Sequence, residues 1–402
     1  MSYKMNLLFI YTSEIIPQEG GVQRVTKVLS DYFKSQSINV FYISQHKKSK
    51  PSKELSSHYF LPDSNLSTIE NINFLKNIVS NKEIDVIINQ AALGGYMASF
   101  CDKAKLVRNV KIISVIHNSL LGNVENLSTS NKKIFNKVPL SAFSFLLDTV
   151  FFKIFLLGVY KLKYKLKYLN LYNLSDKVVL LSDNYFKELK FFVKKADKNK
   201  VISIANPCTI QSPLDTELAY KENELLYVGR INTSQKRVDL LLDIWDKTHK
   251  SFPNWRLTIV GDGEELISLK HLSKKMNLER IHFLGHKDPT PYYTTAKILC
   301  MTSSFEGLPL VLAEAHNFNV IPILFDSFPS ATDIIKEGKN GFLIKPFDLD
   351  AYAVQLGKLM TDYNNLSPSL NEQCAISAKK FSLDRIGNKW LNLFEDLKGN
   401  RS

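Results

Sequence analysis

Short, unbroken apolar runs of strand length recur along this chain, and each stops at a glycine or a cluster of small polar residues. Asn6 to Tyr11, Ile38 to Ile43, Ile84 to Asn89, Val110 to Ile116, Val178 to Leu181 and Val201 to Ala205 form a first series. Leu225 to Val228, Arg256 to Val260, Ile281 to Leu284, Lys297 to Met301 and Val320 to Phe325 form a second. Runs without polar alternation suit strands covered on both faces, and helix-length stretches separate them. The pattern predicts parallel sheets sandwiched by helices. It breaks near Asn206-Pro207, with Pro213 soon after, and then restarts. A chain of 402 residues is too long for one ordinary core. The expected architecture is therefore α/β, with two doubly wound, Rossmann-like domains over 1–206 and 207–381. If they face each other, both sets of strand ends share a central cleft.

The most informative string is Thr302 to Phe318, TSSFEGLPLVLAEAHNF. A strand runs into a polar turn, then Phe305-Glu306-Gly307, then a helix expected to start near Pro309. Proline suits a first helical turn, where its missing N–H costs nothing. Gly307 lets a ligand approach the backbone. Glu306 and Glu314 stand eight residues apart, in the loop and in the helix. A helix N-terminus attracts anions, while carboxylates accept hydroxyl hydrogen bonds, so the string suits a ligand that is part phosphate and part sugar. Further back, Arg230 closes the Leu225 strand at Gly229-Arg230, and Lys236 follows in the next turn. Their charges suit a diphosphate, each bond to a charged group contributing roughly 1.5–3 kcal/mol. Surface salt bridging, which contributes little, is the competing reading.

In the first half, polar pairs collect where strands stop: Thr12-Ser13, Asn89-Gln90, His117-Asn118 and Ser182-Asp183. Open α/β sheets bind ligands at the carboxyl ends of their strands. His117 is the most interesting of these, though a histidine that only satisfies a turn reads equally well. Gly20-Gly21 opens a helix whose Val22, Val25, Val28, Leu29, Tyr32 and Phe33 share a face; a tight turn explains the glycines as well as a ligand does. Asp348-Leu349-Asp350 resembles a metal-binding triplet, but the helical pattern after it (Tyr352, Leu356, Leu359) favours N-capping.

Hydrophobic content of 45% and charged content of 23% are ordinary for a soluble globular protein. The net charge of +13 is unevenly placed: from Phe145 to Lys200, twelve lysines meet five acids. Residues 140–159 are about as long as a membrane span needs to be, but Asp148 and Lys153 sit in the middle, which is costly in lipid. Lys161, Lys163, Lys165 and Lys167 follow among Tyr and Leu. Helices lying on the protein fit better, with an apolar and cationic face from 151 to 167 able to rest on an anionic bilayer. The alternative is a core helix followed by a solvated lysine face. No nucleic-acid module surrounds the lysines, so nucleic acid is not expected as a partner. Cys101, Cys208, Cys300 and Cys374 are widely spaced and form no CxxC pair, as expected of buried thiols in a reducing compartment without a metal cluster. The N-terminal MSYKMNLLFIYTSE has no small-residue cleavage site and reads as a first strand, not a signal peptide.

Gly20-Gly21-Val22-Gln23, Asn206-Pro207, Tyr227-Val228-Gly229-Arg230, Lys236-Arg237, Val260-Gly261-Asp262-Gly263 and Phe305-Glu306-Gly307 through Glu314-Ala315 come in the order and spacing of family 4 glycosyltransferases. The chain resembles these retaining enzymes of the GT-B fold most densely from Leu225 to Ala315, and least over 47–80 and 118–172. The resemblance implies that Arg230 and Lys236 grip the donor diphosphate, that Glu314 binds the nucleotide ribose, and that Glu306 meets hydroxyls of the transferred sugar. It implies that backbone amides from Gly307 through Leu308 and Pro309 to Leu310 hold sugar and phosphate. His117 matches a histidine near the donor sugar, and the loop of Gly20 and Gly21 closes over diphosphate and acceptor. Many relatives have a lone lysine after Gly-Arg; here Arg237 follows Lys236 and is expected to be able to replace it. The C-terminal string at 382–398 resembles a last helix that crosses back to the first domain.

The expected function is then retaining transfer of a hexose or N-acetylhexosamine from a nucleotide sugar, with UDP favoured by family habit. The acceptor would be a lipid-linked saccharide of bacterial surface polysaccharide (O-antigen, capsule or exopolysaccharide). The protein would be cytoplasmic and peripheral at the inner face of the membrane. No cofactor or metal is expected, because cations and a helix N-terminus already stabilise the departing diphosphate. No pair of residues identifies a general base or nucleophile, so a front-face transfer is expected. The rivals are a nucleotide-sugar epimerase of similar shape and a non-catalytic scaffold that binds sugar nucleotides.

Overall fold

The unbroken apolar runs do form strands. The computed structural model describes residues 5–48, 57–92, 96–125, 150–211 and 220–399. Pro213 and the first half of the apolar stretch, 140–149, lie outside the described residues. Clustering of contacts divides the chain into two units: Met1–Leu120 with Gly158–Thr209 and Ser382–Ser402, and Leu121–Leu157 with Ile210–Phe381. The division at Thr209 lies three residues beyond the expected break at Asn206, and 121–157 group with the second unit instead of the first.

The first unit holds a seven-stranded parallel sheet ordered β3-β2-β1-β4-β5-β6-β7. Its strands are β1 (Asn6–Ser13), β2 (Asn39–His46), β3 (His58–Phe60), β4 (Val86–Asn89), β5 (Lys111–Ile116), β6 (Lys177–Leu180) and β7 (Val201–Ser203). Leu7, Leu8, Phe9 and Ile10 are all fully buried, the signature of a strand covered on both sides. The helix Gly21–Ser35 packs Val25, Leu29, Tyr32 and Phe33 inward. Val28 is only half-buried, and Thr26 and Ser30 are buried in its place. Their hydroxyls donate to the carbonyls of Val22 (2.8 Å) and Thr26 (2.6 Å) within the helix, which satisfies them away from water. The helix Leu383–Gly399 belongs to this unit: the Phe394 and Trp390 rings meet Phe33 edge-on at 5.2 and 6.5 Å, and Tyr32 Oη donates to Asn388.

The second unit holds a six-stranded parallel sheet ordered β10-β9-β8-β11-β12-β13. The strands are β8 (Glu222–Val228), β9 (Arg256–Val260), β10 (Ile281–Gly285), β11 (Ala296–Met301), β12 (Ile321–Phe325) and β13 (Phe342–Ile344). The helix Val238–Thr248 buries Val238, Leu241, Leu242 and Trp245, the face expected from spacing, and Trp245 Nε1 donates to the Glu279 carbonyl. Two edge strands, β3 and β13, escape the sequence pattern because three residues each are too few to show a period.

In both sheets the strand order reverses once, between β1 and β4 in the first and between β8 and β11 in the second. Such a reversal leaves a crevice at the carboxyl ends of the two central strands, where α/β folds take their ligands. All four cysteines are buried free thiols. No helix among the described residues is long and apolar enough to cross a membrane. The cap expected at Asp348 is present: its side chain accepts from Ala351 N at 3.0 Å and opens the helix Leu349–Thr361.

Candidate active site

Gly229-Arg230 and Lys236 leave β8, and Glu306-Gly307 leaves β11, so the expected diphosphate and sugar residues flank the switch point of the second sheet. The two loops are fastened to each other. Thr302 Oγ1 donates to the carbonyl of Arg237 (2.8 Å) and to that of Lys236 (3.2 Å). Ser304 N donates to the Gln235 carbonyl at 2.7 Å. Gln235 Nε2 reaches the Phe305 carbonyl (3.1 Å) and Glu306 Oε2 (3.3 Å), while Lys236 Nζ lies 2.6 Å from Glu306 Oε1. Two consecutive side chains thus aim one buried carboxylate, which is 5% exposed.

The loop after β8 is folded by its own polar residues. Asn232 Oδ1 accepts from the backbone N–H of Gln235 and of Lys236, an Asx-type turn. Glu265 takes the backbone and hydroxyl donors of Thr233. The buried Tyr227 hydroxyl donates to the Arg230 carbonyl at 2.9 Å. The loop after β9 lies directly against it: Gly229 N donates to Val260 O, and Ile231 N to Asp262 O. Gly261 has φ +153°, and a Cβ there would overlap the Gly229 carbonyl oxygen. The Gly-Asp-Gly string is therefore explained by backbone packing beneath the Arg230 loop.

Arg230 itself is exposed, and no described residue pairs with its guanidinium. It is a cation held on a fixed backbone and open to an anion. Arg237 corrects the expectation that it could replace Lys236. It is 1% exposed, has φ +51°, and its guanidinium is turned onto Asp239, with Nε and Nη2 each 3.0 Å from a carboxylate oxygen. One residue along the loop reverses the side chain's direction, so adjacent cations do different work.

Pro309 is the N-cap, and the helix runs Leu310–Asn317. Because proline has no N–H, the expected backbone donors from Gly307 to Leu310 reduce to Gly307, Leu308 and Leu310. Ser330 Oγ donates to the Gly307 carbonyl at 2.6 Å and fixes that peptide. Glu314 is fully buried and accepts from Tyr293 Oη at 3.0 Å. Gln235, Tyr293, Glu265 and Ser330 escaped the sequence reading, since each acts through a partner far along the chain.

In the first unit, Gly20 and Gly21 follow β1, Gln90 follows β4 and His117 follows β5. Gly20 has φ −178° and caps the helix that begins at Gly21, a conformation open to any residue. Gln90 Oε1 lies 2.5 Å from His117 Nε2. With the Gln90 amide in this orientation its oxygen accepts, which puts the ring proton on Nε2 and the lone pair on Nδ1. Nδ1 is buried with no partner among the described residues. Burial pushes the imidazole down to about 4, so it is neutral at pH 7. The next residues are held by Glu188, which accepts from Ser119 Oγ at 3.0 Å and Leu120 N at 2.6 Å.

Comparison with known proteins matches residues 213–381 to the family model described as "Glycosyl transferases group 1". An "Uncharacterized glycosyltransferase" of Haemophilus influenzae is 32% identical over 218 residues, 54% of this chain and 60% of that protein. "Amylovoran biosynthesis glycosyltransferase AmsD" of Erwinia amylovora is 34% identical over 226 residues, covering 54% and 62%. The matched stretch thus spans about three fifths of these relatives. Among solved structures, the "lipopolysaccharide outer core galactosyltransferase WaaB apo form" superposes with a TM-score of 0.65 over 98% of this chain and 100% of that one, at 19% identity. The pneumococcal O-GlcNAc transferase GtfA, in complex with UDP and GlcNAc, gives 0.71 over 98% and 99%, at 14% identity. Residues 213–381, which carry the fastened loops of Arg230, Lys236, Glu306 and Glu314, are similar to the group 1 glycosyl transferases, and the two parallel sheets are those of the GT-B fold.

Proposed function

We propose that the protein is a retaining glycosyltransferase of bacterial surface-polysaccharide synthesis. It moves a hexose or N-acetylhexosamine from a nucleotide sugar, UDP-linked, to a lipid-linked saccharide at the cytoplasmic face of the membrane. The observation that carries this reading is the pair of interlocked loops at the β8/β11 switch point, which hold Lys236 against Glu306 and carry Arg230 exposed on the same loop as Lys236. Matched relatives act in amylovoran and O-antigen biosynthesis, and one from Campylobacter jejuni is named for an undecaprenol diphosphate-linked acceptor.

The chemistry follows from charge. Breaking a sugar–phosphate bond leaves negative charge on the diphosphate and positive charge at the anomeric carbon. Arg230 and Lys236, with the N–H groups of Gly307, Leu308 and Leu310, stabilise the first without reorganising. Lys236 then exchanges its contact with Glu306 for a phosphate oxygen, and Gln235 keeps the freed carboxylate aimed at hydroxyls of the sugar. Glu314, steadied by Tyr293, serves the ribose. His117 offers Nδ1 as a neutral acceptor to a sugar hydroxyl, and the Gly20-Gly21 turn lies on the acceptor side. Because the diphosphate oxygen assists deprotonation of the acceptor on the same face, no protein nucleophile is used. The departing charge is met by these cations, so no divalent metal is required, and activity persists in EDTA.

A thermal-shift panel of nucleotide sugars tests the reading. The correct donor at ~100-fold excess over its Kd adds about 2.7 kcal/mol of stability, and a panel in which nothing shifts the midpoint sinks the proposal. Trapping a sugar covalently on Glu306 would overturn the front-face step alone.

A further inference from the structure

The helix Val150–Leu174 has two opposite faces. At about 100° per residue, Tyr160, Tyr164 and Tyr168 share one side. That side packs on the protein: the Tyr160 and Tyr168 rings meet Phe192 at 6.0 and 4.5 Å, and Leu171 is buried. On the other side, Phe155, Val159, Leu162 and Leu166 fall within about 60° of one another. All four are exposed, Leu162 by 79% and Leu166 by 70%. Neither the tyrosine spine nor the donor site explains the exposure of Val159, Leu162 and Leu166 on one ridge.

The charges around the ridge say what covers it. Lys165 lies on one shoulder and Lys163 on the other, both exposed. Lys161 and Lys167 lie further round, with their ammonium groups 4.3 Å from the Phe191 ring centroid and 5.8 Å from that of Tyr164. The helix contains no acid. An apolar ridge between two rows of long cationic stems suits a planar, anionic, deformable surface: the ridge enters the acyl boundary while the ammonium groups stay at headgroup depth.

We infer that the Val150–Leu174 helix is the membrane-docking element of this protein, lying flat on an anionic lipid bilayer with Val159, Leu162 and Leu166 inserted and Lys163 and Lys165 at the headgroups. This deepens the proposed function, on which it rests, by naming the surface that brings the chain to a lipid-carried acceptor.

The test is co-sedimentation of the full chain with large vesicles of phosphatidylethanolamine and phosphatidylglycerol, against vesicles of phosphatidylcholine. Wild-type protein binds the anionic vesicles and is released by high salt. Lys163→Gln and Lys165→Gln each weaken binding about fivefold. Leu162→Glu with Leu166→Glu weakens it at least tenfold, with the unfolding midpoint of the wild type, because both positions are solvent-exposed. The inference is overturned if the wild type stays in the supernatant, or if the double variant binds as well as the wild type. It is equally overturned if light scattering shows a wild-type dimer that Leu162→Glu disperses, for then a second copy covers the ridge. Donor-induced thermal shift, read on the same samples, separates the two readings. Lost vesicle binding with an intact shift breaks docking alone, and vesicle binding without any shift breaks the donor reading alone.

Discussion

The two switch points are built alike and charged differently. In the second unit, the loop after β8 presents Arg230 and Lys236, and bonds from Asn232, Glu265, Thr302 and Gln235 fasten it and tie it to the loop after β11. In the first unit, the loops after β4 and β5 present Gln90 and His117, pinned by Asn89, which takes the Ala91 N–H, and by Glu188. There the ring is kept neutral by burial. One sheet end is set to hold an anion, and the other offers a lone pair to a neutral polar group. The same topology thus supports opposite electrostatics, and the choice lies in a handful of loop residues.

The largest test of that contrast removes a cation. Lys236→Ala should lower kcat about 10²–10³-fold in a transfer assay and also cost stability, since it leaves the buried Glu306 without its charge partner. Arg230→Ala should lose a similar factor in rate with an unchanged unfolding midpoint, because Arg230 is exposed and pairs with no described residue. Arg237→Ala reverses the pattern: it should cost about 3 kcal/mol in urea unfolding and leave donor affinity unchanged, and equal damage to donor binding would restore Arg237 as a donor contact.

Backbone packing under the cationic loop comes next. Gly261→Ala should cost about 2–4 kcal/mol in urea unfolding, because the added methyl overlaps the Gly229 carbonyl at φ +153°. Gly285→Ala, at φ +72° with nothing within 4 Å of the added methyl, should cost only the left-handed conformation, about 1–2 kcal/mol. Equal costs would mean that the contact between the β8 and β9 loops is unimportant.

Each unit also holds one histidine that burial depresses to about 4, His117 in the first and His316 in the second. The unfolded chain takes these protons near 6.5 and the folded chain near 4, so the unfolded state binds more protons in between. Their contribution is complete above pH 6.5 and drains away as pH falls towards 4. Unfolding midpoints at pH 7 and pH 5 should therefore diverge, and His117→Gln and His316→Gln should each flatten the slope. An NMR titration placing the His117 ring near 6.5 would remove the neutral character of the first switch point. The smallest effect is Asp348→Ala, which should cost about 1 kcal/mol by uncapping its helix.

The strands were legible because burial on both faces writes itself into consecutive residues: Leu7 to Ile10 and Val320 to Phe325 need no partner to be recognised. The Glu306–Glu314 string and the Gly229-Arg230 turn were legible for the same reason, as short local patterns tied to a strand end. Long-range side-chain contacts were not. Nothing near Gln235 announces that it aims a carboxylate 71 residues away, and nothing near Glu188 announces that it holds Ser119. The direction of Arg237 was misread because it turns on a left-handed φ, a backbone property that composition does not carry. The strand order that creates each switch point was invisible too, since hydrogen-bonded neighbours such as β8 and β11 are separated by two whole strand-helix units.

The place of Leu383–Gly399 in the first unit has a consequence for synthesis. Phe33 emerges from the ribosome long before Trp390 and Phe394, which cover it. A unit that includes β1 cannot close until the Leu383–Gly399 helix has been translated, so the order of folding need not follow the order of the chain. The second unit, whose main segment Ile210–Phe381 is continuous, is free to finish while the first still waits with an aromatic face uncovered. Ribosome-bound chains halted at residue 381 should carry a protease-resistant second unit and a first unit that chaperones recognise.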